Sequence, residues 1–141
     1  MLMLRDSPAE ILRQALIVNG IPIPIYVSSE PDLPDECLTI YDTAGLSEGR
    51  NMLDGETIQR YGVQLRIRAR NYKEGWNIAT IIKEILEKLH NQVLYVSTFE
   101  YELYHCAEIS TIIPLPPVDK SSRRLFTINC LLVLRQTGLI V

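Results

Sequence analysis

The segment TIQRYGVQLRIRAR, residues 57–70, alternates apolar and polar side chains and decides the class of fold. Successive side chains of a β-strand point to opposite faces, so the alternation predicts one long strand with two unlike faces. The apolar face contains Tyr61, Val63, Leu65, Ile67 and Ala69. The opposite face contains Gln64 and four arginines, Arg60, Arg66, Arg68 and Arg70. Only the apolar face suits a hydrophobic core, so the basic face needs a separate explanation.

A helix is predicted on each side of this strand. The segment Ser7-Pro8-Ala9-Glu10 carries the signals of a helix start: a capping serine, a proline at the first helical position and a glutamate three residues after the cap. The first helix is therefore predicted from Pro8 to Asn19. The second is predicted from Lys73 to His90, where apolar residues recur at helical spacing.

Further strands give the chain an α+β pattern. Pro22 and Pro24 disfavour a helix and favour a short edge strand at Ile23–Val27. The other predicted strands are Cys37–Asp42, Val93–Ser97 (short), Glu100–Ile109 and Leu125–Arg135. The main elements follow the order α-β-β-β-α-β-β. This order predicts a single α+β domain over residues 1–141, with a mixed, mostly antiparallel sheet and both helices packed on one face.

The last predicted strand is apolar on both of its faces, and the chain then ends in Gly138-Leu139-Ile140-Val141. A strand of this kind is normally covered on both sides. If both helices cover one face, something else must cover the other. This is the first indication of a partner.

Composition and the chain's beginning set further bounds. The net charge of −3 is too small to indicate a nucleic-acid or membrane partner. Three cysteines without a CxxC spacing give neither a disulfide framework nor a zinc cluster, which favours a reducing compartment. The N-terminus lacks the apolar core of a signal peptide, and no window approaches the roughly 18 apolar residues of a membrane span. We therefore expect a cytoplasmic protein without a membrane partner.

The residues that could carry chemistry do not combine into a catalytic site. A loop predicted between Thr43 and Glu56 contains three glycines but lacks the Gly-Lys-Ser/Thr ending of a phosphate-binding loop. His105 and Cys106 are adjacent on a predicted strand, so their side chains should point to opposite faces. No metal-ligand spacing is present either. The sequence predicts no catalytic residue, no cofactor and no metal site, and hence no enzymatic activity.

The basic face of the long strand has two interpretations. One is an ordinary solvated sheet face, because surface arginines are common. The other is a subunit interface in which the basic face of one copy meets the acidic segment Glu30–Glu56 of the next. Such a head-to-tail contact closes into a ring when its rotation allows. The interface residues on this second interpretation are Arg60, Gln64, Arg66, Arg68 and Arg70.

Two segments resemble those of bacteriophage tail terminator proteins. The stretch from Arg60 to Arg70, followed by Tyr72 and a helix, is similar to the G-V-Q-V-R-like strand, tyrosine turn and amphipathic helix of that family. The stretch from Asp119 to Asn129 resembles its closing D…GR…F-S-x-N-F strand. Ser122 stands where the family often has glycine, and Cys130 stands where it often has an aromatic residue.

This resemblance implies a structural virion protein that forms a homo-oligomeric ring, typically a hexamer, on the head-proximal end of the tail tube. The ring would end tube polymerisation and offer a joining surface to the head. Its partners would be further copies of itself, the major tail tube protein and the head connector or stopper protein, with DNA only passing through the lumen. Assembly would take place in the host cytoplasm. The implied docking residues are Gly45, Glu48, Arg50, Asp54 and Glu56 in the predicted loop, and Leu139, Ile140 and Val141 at the C-terminus.

Three rival functions stay open on the sequence. A head-closure or other neck connector protein would share the small size and the ring. A nucleic-acid-binding domain could use the Arg60–Arg70 face, although the net charge is negative and no aromatic residue interleaves with the arginines on that face. An enzyme is the least favoured, because it needs a polar pocket that the sequence does not indicate.

Overall fold

The computed structural model describes residues 4–50, 57–116 and 123–139, and contains two helices and seven strands within them. The predicted α+β class and the predicted order of the main elements are confirmed; the short strand predicted at Val93–Ser97 is β4 and begins earlier, and β6 is added. The elements are α1 (Pro8–Val18), β1 (Ile25–Val27), β2 (Cys37–Arg50), β3 (Thr57–Ala69), α2 (Tyr72–Lys88), β4 (His90–Val96), β5 (Phe99–Ala107), β6 (Ile113–Leu115) and β7 (Arg124–Leu139).

The strands form one sheet in the order β1-β2-β3-β7-β5-β4. Strand β6 pairs with the first part of β7, on the side where β5 pairs with the later part. Only the β1–β2 pair is parallel, so the prediction of a mixed, mostly antiparallel sheet is confirmed. Strand β3, which contains the segment that decided the fold class, lies near the middle of the sheet beside β7.

One face of the sheet forms the core. The apolar row of β3 from Val63 to Ala69 is fully buried, and its register partners on β7, such as Ile128 and Phe126, are buried with it. Both helices pack on this face. Helix α1 contacts both edge strands, β1 and β4, and α2 lies over the central strands β3 and β7. The sheet therefore curls around α1 and leaves its opposite, convex face without a helix.

The helix ends follow from local hydrogen bonds. Ser7 Oγ accepts from the amide of Glu10 at 3.3 Å, and Asp42 on β2 accepts from the amide of Ala9 at 2.9 Å. Two otherwise unpaired amides of the first turn are thereby satisfied. Helix α2 begins after the capping residue Asn71 and ends at Lys88. It stops before the predicted His90 because Leu89 adopts an extended conformation and leads into β4.

The prediction of a loop from Thr43 to Glu56 is wrong for its first part. Strand β2 continues to Arg50 and pairs with β3, while residues 51–56 lie outside the described part of the chain. Register shifts between Thr43 and Leu46, and again between Ser47 and Arg50, interrupt the two-residue period. A segment with glycines and an interrupted two-residue alternation resembles a loop in the sequence. In the structure, residues 43–50 form a bulged strand.

Gly62 makes the first of these bulges possible. It pairs with Thr43, at the point where β2 bulges toward β3. A Cβ atom at position 62 would collide with the backbone carbonyl of Ala44 and the hydroxyl of Thr43. Glycine here therefore serves a close approach of two backbones rather than a turn.

A buried tyrosine attaches the segment before α1 to the sheet. Tyr101 on β5 donates a hydrogen bond from its hydroxyl to the Asp6 carboxylate at 2.6 Å, and its oxygen accepts from the Asp6 amide at 3.0 Å. The Ser97 hydroxyl donates to the same carboxylate at 3.1 Å. Burial first, and then the hydrogen bond to the Asp6 side chain, raise the pKa of Tyr101 to about 12.

This raised pKa predicts a loss of stability in alkali. The folded state favours the neutral phenol, so the contribution of Tyr101 is fully present below its unfolded pKa of about 10 and disappears as the pH rises through about 12. Urea unfolding across this range should show a fall in the free energy of unfolding of about 2–3 kcal/mol from this group. In Tyr101→Phe, which lacks the ionisable group, the fall should be smaller by that amount. An identical pH profile in the variant would contradict the prediction.

No helix within the described residues is both long enough and apolar enough to cross a membrane.

Candidate assembly surfaces

The predicted interface residues on β3 lie on the convex face of the sheet, opposite the helices. We call Arg60, Gln64, Arg66, Arg68 and Arg70 the arginine stripe. On β2, Cys37, Thr39 and Tyr41 stand beside Arg68, Arg66 and Gln64, respectively. Arg70 follows the end of the strand. The alternation in the sequence thus placed these side chains on the correct face.

One end of the stripe is covered by the chain itself. Residues 28–36, which connect β1 to β2, lie over Arg68, whose side chain is only 8% exposed. Its guanidinium donates to three backbone carbonyls of this connection: Pro34 at 2.6 Å, Asp32 at 3.2 Å and Asp35 at 3.3 Å. Planar arginine, with several donors in a fixed arrangement, is well suited to hold a backbone segment in this way.

Acidic side chains of the same connection pair with the other arginines. The Glu30 carboxylate lies 3.4 Å from Nε of Arg66 and 3.9 Å from Nη1 of Arg68. The Glu36 carboxylate lies 3.8 Å from Arg70. From outside the stripe, Arg123 also donates to the Asp32 carbonyl at 2.6 Å. The sequence hypothesis supplied these acidic groups from the next copy, but Glu30 and Glu36 are engaged within the chain.

The other half of the convex face mixes amide, apolar and charged groups. Gln64 Nε2 donates to the Asn129 side chain at 3.3 Å. Leu131 and Val133 on β7, the outward-facing apolar residues that suggested a partner, are half-buried there. Further along the strand, Arg135 lies 3.8 Å from the Glu102 carboxylate and 6.0 Å from the centre of the Tyr104 ring. A role of the stripe in subunit contact stays a prediction. A neighbour bound to the convex face would meet half-exposed side chains on the half around Gln64, Leu131 and Val133.

The sheet topology brings the described residues of both predicted docking sets to one end of the molecule. Strands β2 and β7 both run antiparallel to β3, so both finish at the same end of the sheet. We call this the arm end. Gly45, Glu48 and Arg50 are in the last part of β2, and Leu139 is the last residue of β7. Asp54, Glu56, Ile140 and Val141 lie outside the described residues.

The opposite end exposes aromatic and apolar side chains, and we call it the aromatic end. Tyr72 and Trp76, in the first turns of α2, are both exposed, and their rings stack at 6.3 Å. Both rings contact the buried ring of Phe126, at 5.3 and 6.3 Å. Leu33, in the connection held by Arg68, is 71% exposed. Sequence reasoning missed this surface, although the four-residue spacing of Tyr72 and Trp76 at a helix start could have indicated it.

Two of the three cysteines have raised pKa values. A hydrogen bond with the Cys130 thiol, followed by burial, raises the pKa of Cys106. Burial likewise raises the pKa of Cys37. Both effects disfavour the thiolate, the reactive form of cysteine. Within the residues that the structure describes, no group of three or more His, Cys, Asp or Glu side chains could hold a metal ion.

A comparison with protein families decides the identification. The model of a family described as "Bacteriophage tail terminator protein" matches residues 9–135. The chain belongs to this family. The match extends from the first turn of α1 to Arg135 on β7, so it includes the arginine stripe and most of the arm end. A search among curated proteins found no match to the chain.

As a tail terminator, the protein is a structural component of the phage tail, and the resemblance stated from the sequence is confirmed. The tail is also where it resides in the virion.

Proposed function

We propose that this tail terminator forms a ring of six identical copies on the head-proximal end of the tail tube. The ring ends the addition of tube subunits and presents the surface to which the head is joined. The observation that supports this proposal is the difference between the two ends of the sheet. A subunit that stops a polymer needs one end that binds the polymer and a second end to which no further polymer subunit binds.

The arm end is the proposed docking surface for a neighbouring tail component. The β2–β3 hairpin and the end of β7 lie side by side there, because β3 pairs with both β2 and β7. Glu48 and Arg50 supply opposite charges near the end of β2. Adjacent strands that finish together present their backbone groups in a fixed arrangement, which favours a specific contact over a general apolar one.

The function is proposed to need neither catalysis nor a cofactor. The partners are further copies of the chain, the tail tube protein and the head connector or stopper protein, and DNA only passes through the lumen. Assembly takes place in the host cytoplasm, and the product stays at the head-proximal end of the tail. Contact and exclusion are sufficient for this task, since ending a polymer requires a surface and no bond chemistry.

The rival function of nucleic-acid binding is disfavoured by the pairing of the arginine stripe. Phosphate binding requires guanidinium groups that are free to meet the backbone of the nucleic acid. Arg68 is buried under residues 28–36, and Arg66 and Arg70 lie beside Glu30 and Glu36. Binding through this face would first have to displace contacts within the chain.

An exchange of charges at the arm end tests the proposed function. In a phage that lacks its own terminator gene, we expect Glu48→Arg with Arg50→Glu to give tails of uncontrolled length and few infectious particles. The double change keeps the net charge of the protein, so loss of function would come from the contact itself. Electron microscopy of tails and plaque counts provide the two measurements.

A matched control is the exchange Glu84→Lys with Lys88→Glu on α2, where both side chains are exposed. It should give tails of normal length and normal plaque counts. Co-purification separates a terminator from a head-closure protein, because the terminator binds isolated tail tubes and the head-closure protein binds heads. Normal tails made with the arm-end variant would refute the docking role of this end.

A further inference from the structure

The sheet has two open edges within the described residues. Strand β1 covers β2 only as far as Ile40, so beyond that point β2 is paired on one side alone, with β3. Strand β4 pairs only with β5. We call Tyr41–Arg50 the β2 edge and His90–Val96 the β4 edge. Each edge presents a row of backbone donors and acceptors without a strand partner.

The two edges lie at the same level along the strands. Following the pairing across the sheet gives one continuous row from edge to edge: Leu46, Arg60, Val133, His105 and His90. The edges also run in the same direction, because β2 and β4 are each parallel to β7 through antiparallel neighbours. A copy rotated about an axis parallel to the strands would therefore bring the last part of its β2 edge, from Leu46 onward, level with the first copy's β4 edge, which begins at His90.

The β4 edge lacks the features that normally prevent strands of different molecules from pairing. Soluble proteins protect edge strands with charged residues, prolines or bulges. The sequence His90-Asn91-Gln92-Val93-Leu94-Tyr95-Val96 contains no lysine, arginine, acidic residue or proline, and its pairing with β5 is regular from Gln92 to Val96. Asn91, with a φ of 47°, interrupts the extended backbone near the start of the strand. Val93 and Tyr95 are 52% and 56% exposed. The regular, unprotected stretch Gln92–Val96 is suited to accept another strand.

We propose that the β4 edge of one copy pairs in parallel with the β2 edge of the next copy, so that the sheets join around the ring. This inference rests on the proposed ring and assigns its subunit contact. The contact is head-to-tail, since it joins two different surfaces, and contacts of this type close into rings when no rise along the axis accompanies the rotation. The common level of the two edges meets that condition. Residues Tyr41–Thr43 lie before the level of His90, so the ladder begins at Leu46, and the register shift of β2 between Ser47 and Arg50 interrupts it.

Cross-linking of single-cysteine variants tests the pairing. One variant carries Leu46→Cys on the β2 edge, another carries His90→Cys on the β4 edge, and a third carries both. The variants are incorporated into tails and treated with a short bismaleimide reagent. We expect cross-linked dimers from the mixture of the two single variants, few from either one alone, and a ladder that ends in a closed ring from the double variant. Wild-type protein, with its own three cysteines, gives the background.

Other outcomes would overturn the pairing. Cross-linked dimers from His90→Cys alone would indicate a two-fold contact between β4 edges. Tails that contain the double variant but give no cross-link above background would reject this edge contact and leave the proposed capping function in place. Failure of even the wild-type protein to associate with tails would instead reject the capping function, and the edge pairing with it.

A second set of variants tests the edge without cysteines. The double variant Val93→Lys with Tyr95→Lys places two positive charges at exposed positions of the β4 edge. It should fail to be incorporated into tails. Ile81→Lys, at an exposed apolar position on α2, should be incorporated normally. Circular dichroism of the purified variants checks that all of them fold. Normal incorporation of the folded β4-edge variant would contradict the proposal.

Discussion

Arg68→Ala is expected to lower the free energy of unfolding by about 3 kcal/mol, which is more than Arg70→Ala should lower it. The change removes the hydrogen bonds from Arg68 to the carbonyls of Asp32, Pro34 and Asp35 and its 3.9 Å ion pair with Glu30, while Arg123 still donates to Asp32. Hydrogen bonds from a charged donor contribute more than neutral ones, and the loss of this nearly buried side chain also leaves unfilled space beneath residues 28–36. Urea unfolding followed by circular dichroism measures the loss.

Arg70→Ala is the matched control. Arg70 is the same residue type two positions further on, but its side chain is 67% exposed and its partner Glu36 lies at 3.8 Å. An exposed pair of this kind contributes about 0–1 kcal/mol, so the control should change stability little. Limited proteolysis should also cut residues 28–36 faster in Arg68→Ala than in Arg70→Ala. Equal stability of the two variants would show that Arg68 does not hold the connection.

The arginine stripe shows what a sequence pattern can and cannot predict. Alternation placed the stripe on the correct face of β3, because the two-residue period is a property of the strand alone. It did not predict that Arg68 is buried, since the burial depends on residues 28–36, more than 30 positions earlier in the chain. A charged row at strand spacing looks the same in sequence whether its partners come from the same chain or from another.

The arm end shows a second limit. The sequence predicted docking residues near Gly45–Glu56 and at Leu139–Val141 as two separate segments. The position of their described residues at one end of the sheet follows from the directions of β2 and β7, and these directions depend on long-range pairing with β3. In the first part of the predicted loop, as far as Arg50, the same pairing forms a bulged strand. Local composition identifies glycines and apolar ends, but only the topology shows that they are neighbours.

The open edges and the strand ends of one sheet would serve two different contacts, one that forms the ring and one that ends the tube. Lateral contacts along the β2 and β4 edges would join copies around the axis. The arm end and the aromatic end lie at right angles to those edges, because they are the two ends of the same strands. Subunit contact and stacking contact would therefore use different backbone groups of one sheet. A variant that blocks an edge can then be separated experimentally from one that blocks an end.

Gly75→Val is expected to destabilise the protein by about 3 kcal/mol, because overpacking at this position cannot be relieved. A Cβ atom on residue 75 of α2 would collide with the ring of Phe126 and approach the Ala69 side chain to 3.3 Å. Phe126 is completely buried and is flanked by Tyr72 and Trp76, so its ring cannot move aside without displacing the aromatic end. Thermal and urea unfolding measure the loss.

The smaller change Gly75→Ala gives the sharper test, because its sign depends on the contact with Phe126. In a solvated helix interior, replacing glycine by alanine gains about 1 kcal/mol, and Asn77→Ala on the exposed side of α2 should show a small gain of this kind. At position 75 we expect a loss instead. Shortening the opposing ring with Phe126→Leu should cancel that loss in a double-mutant cycle, since the added methyl group then has room. A gain from Gly75→Ala in the otherwise unchanged protein would mean that α2 does not pack this closely on β7.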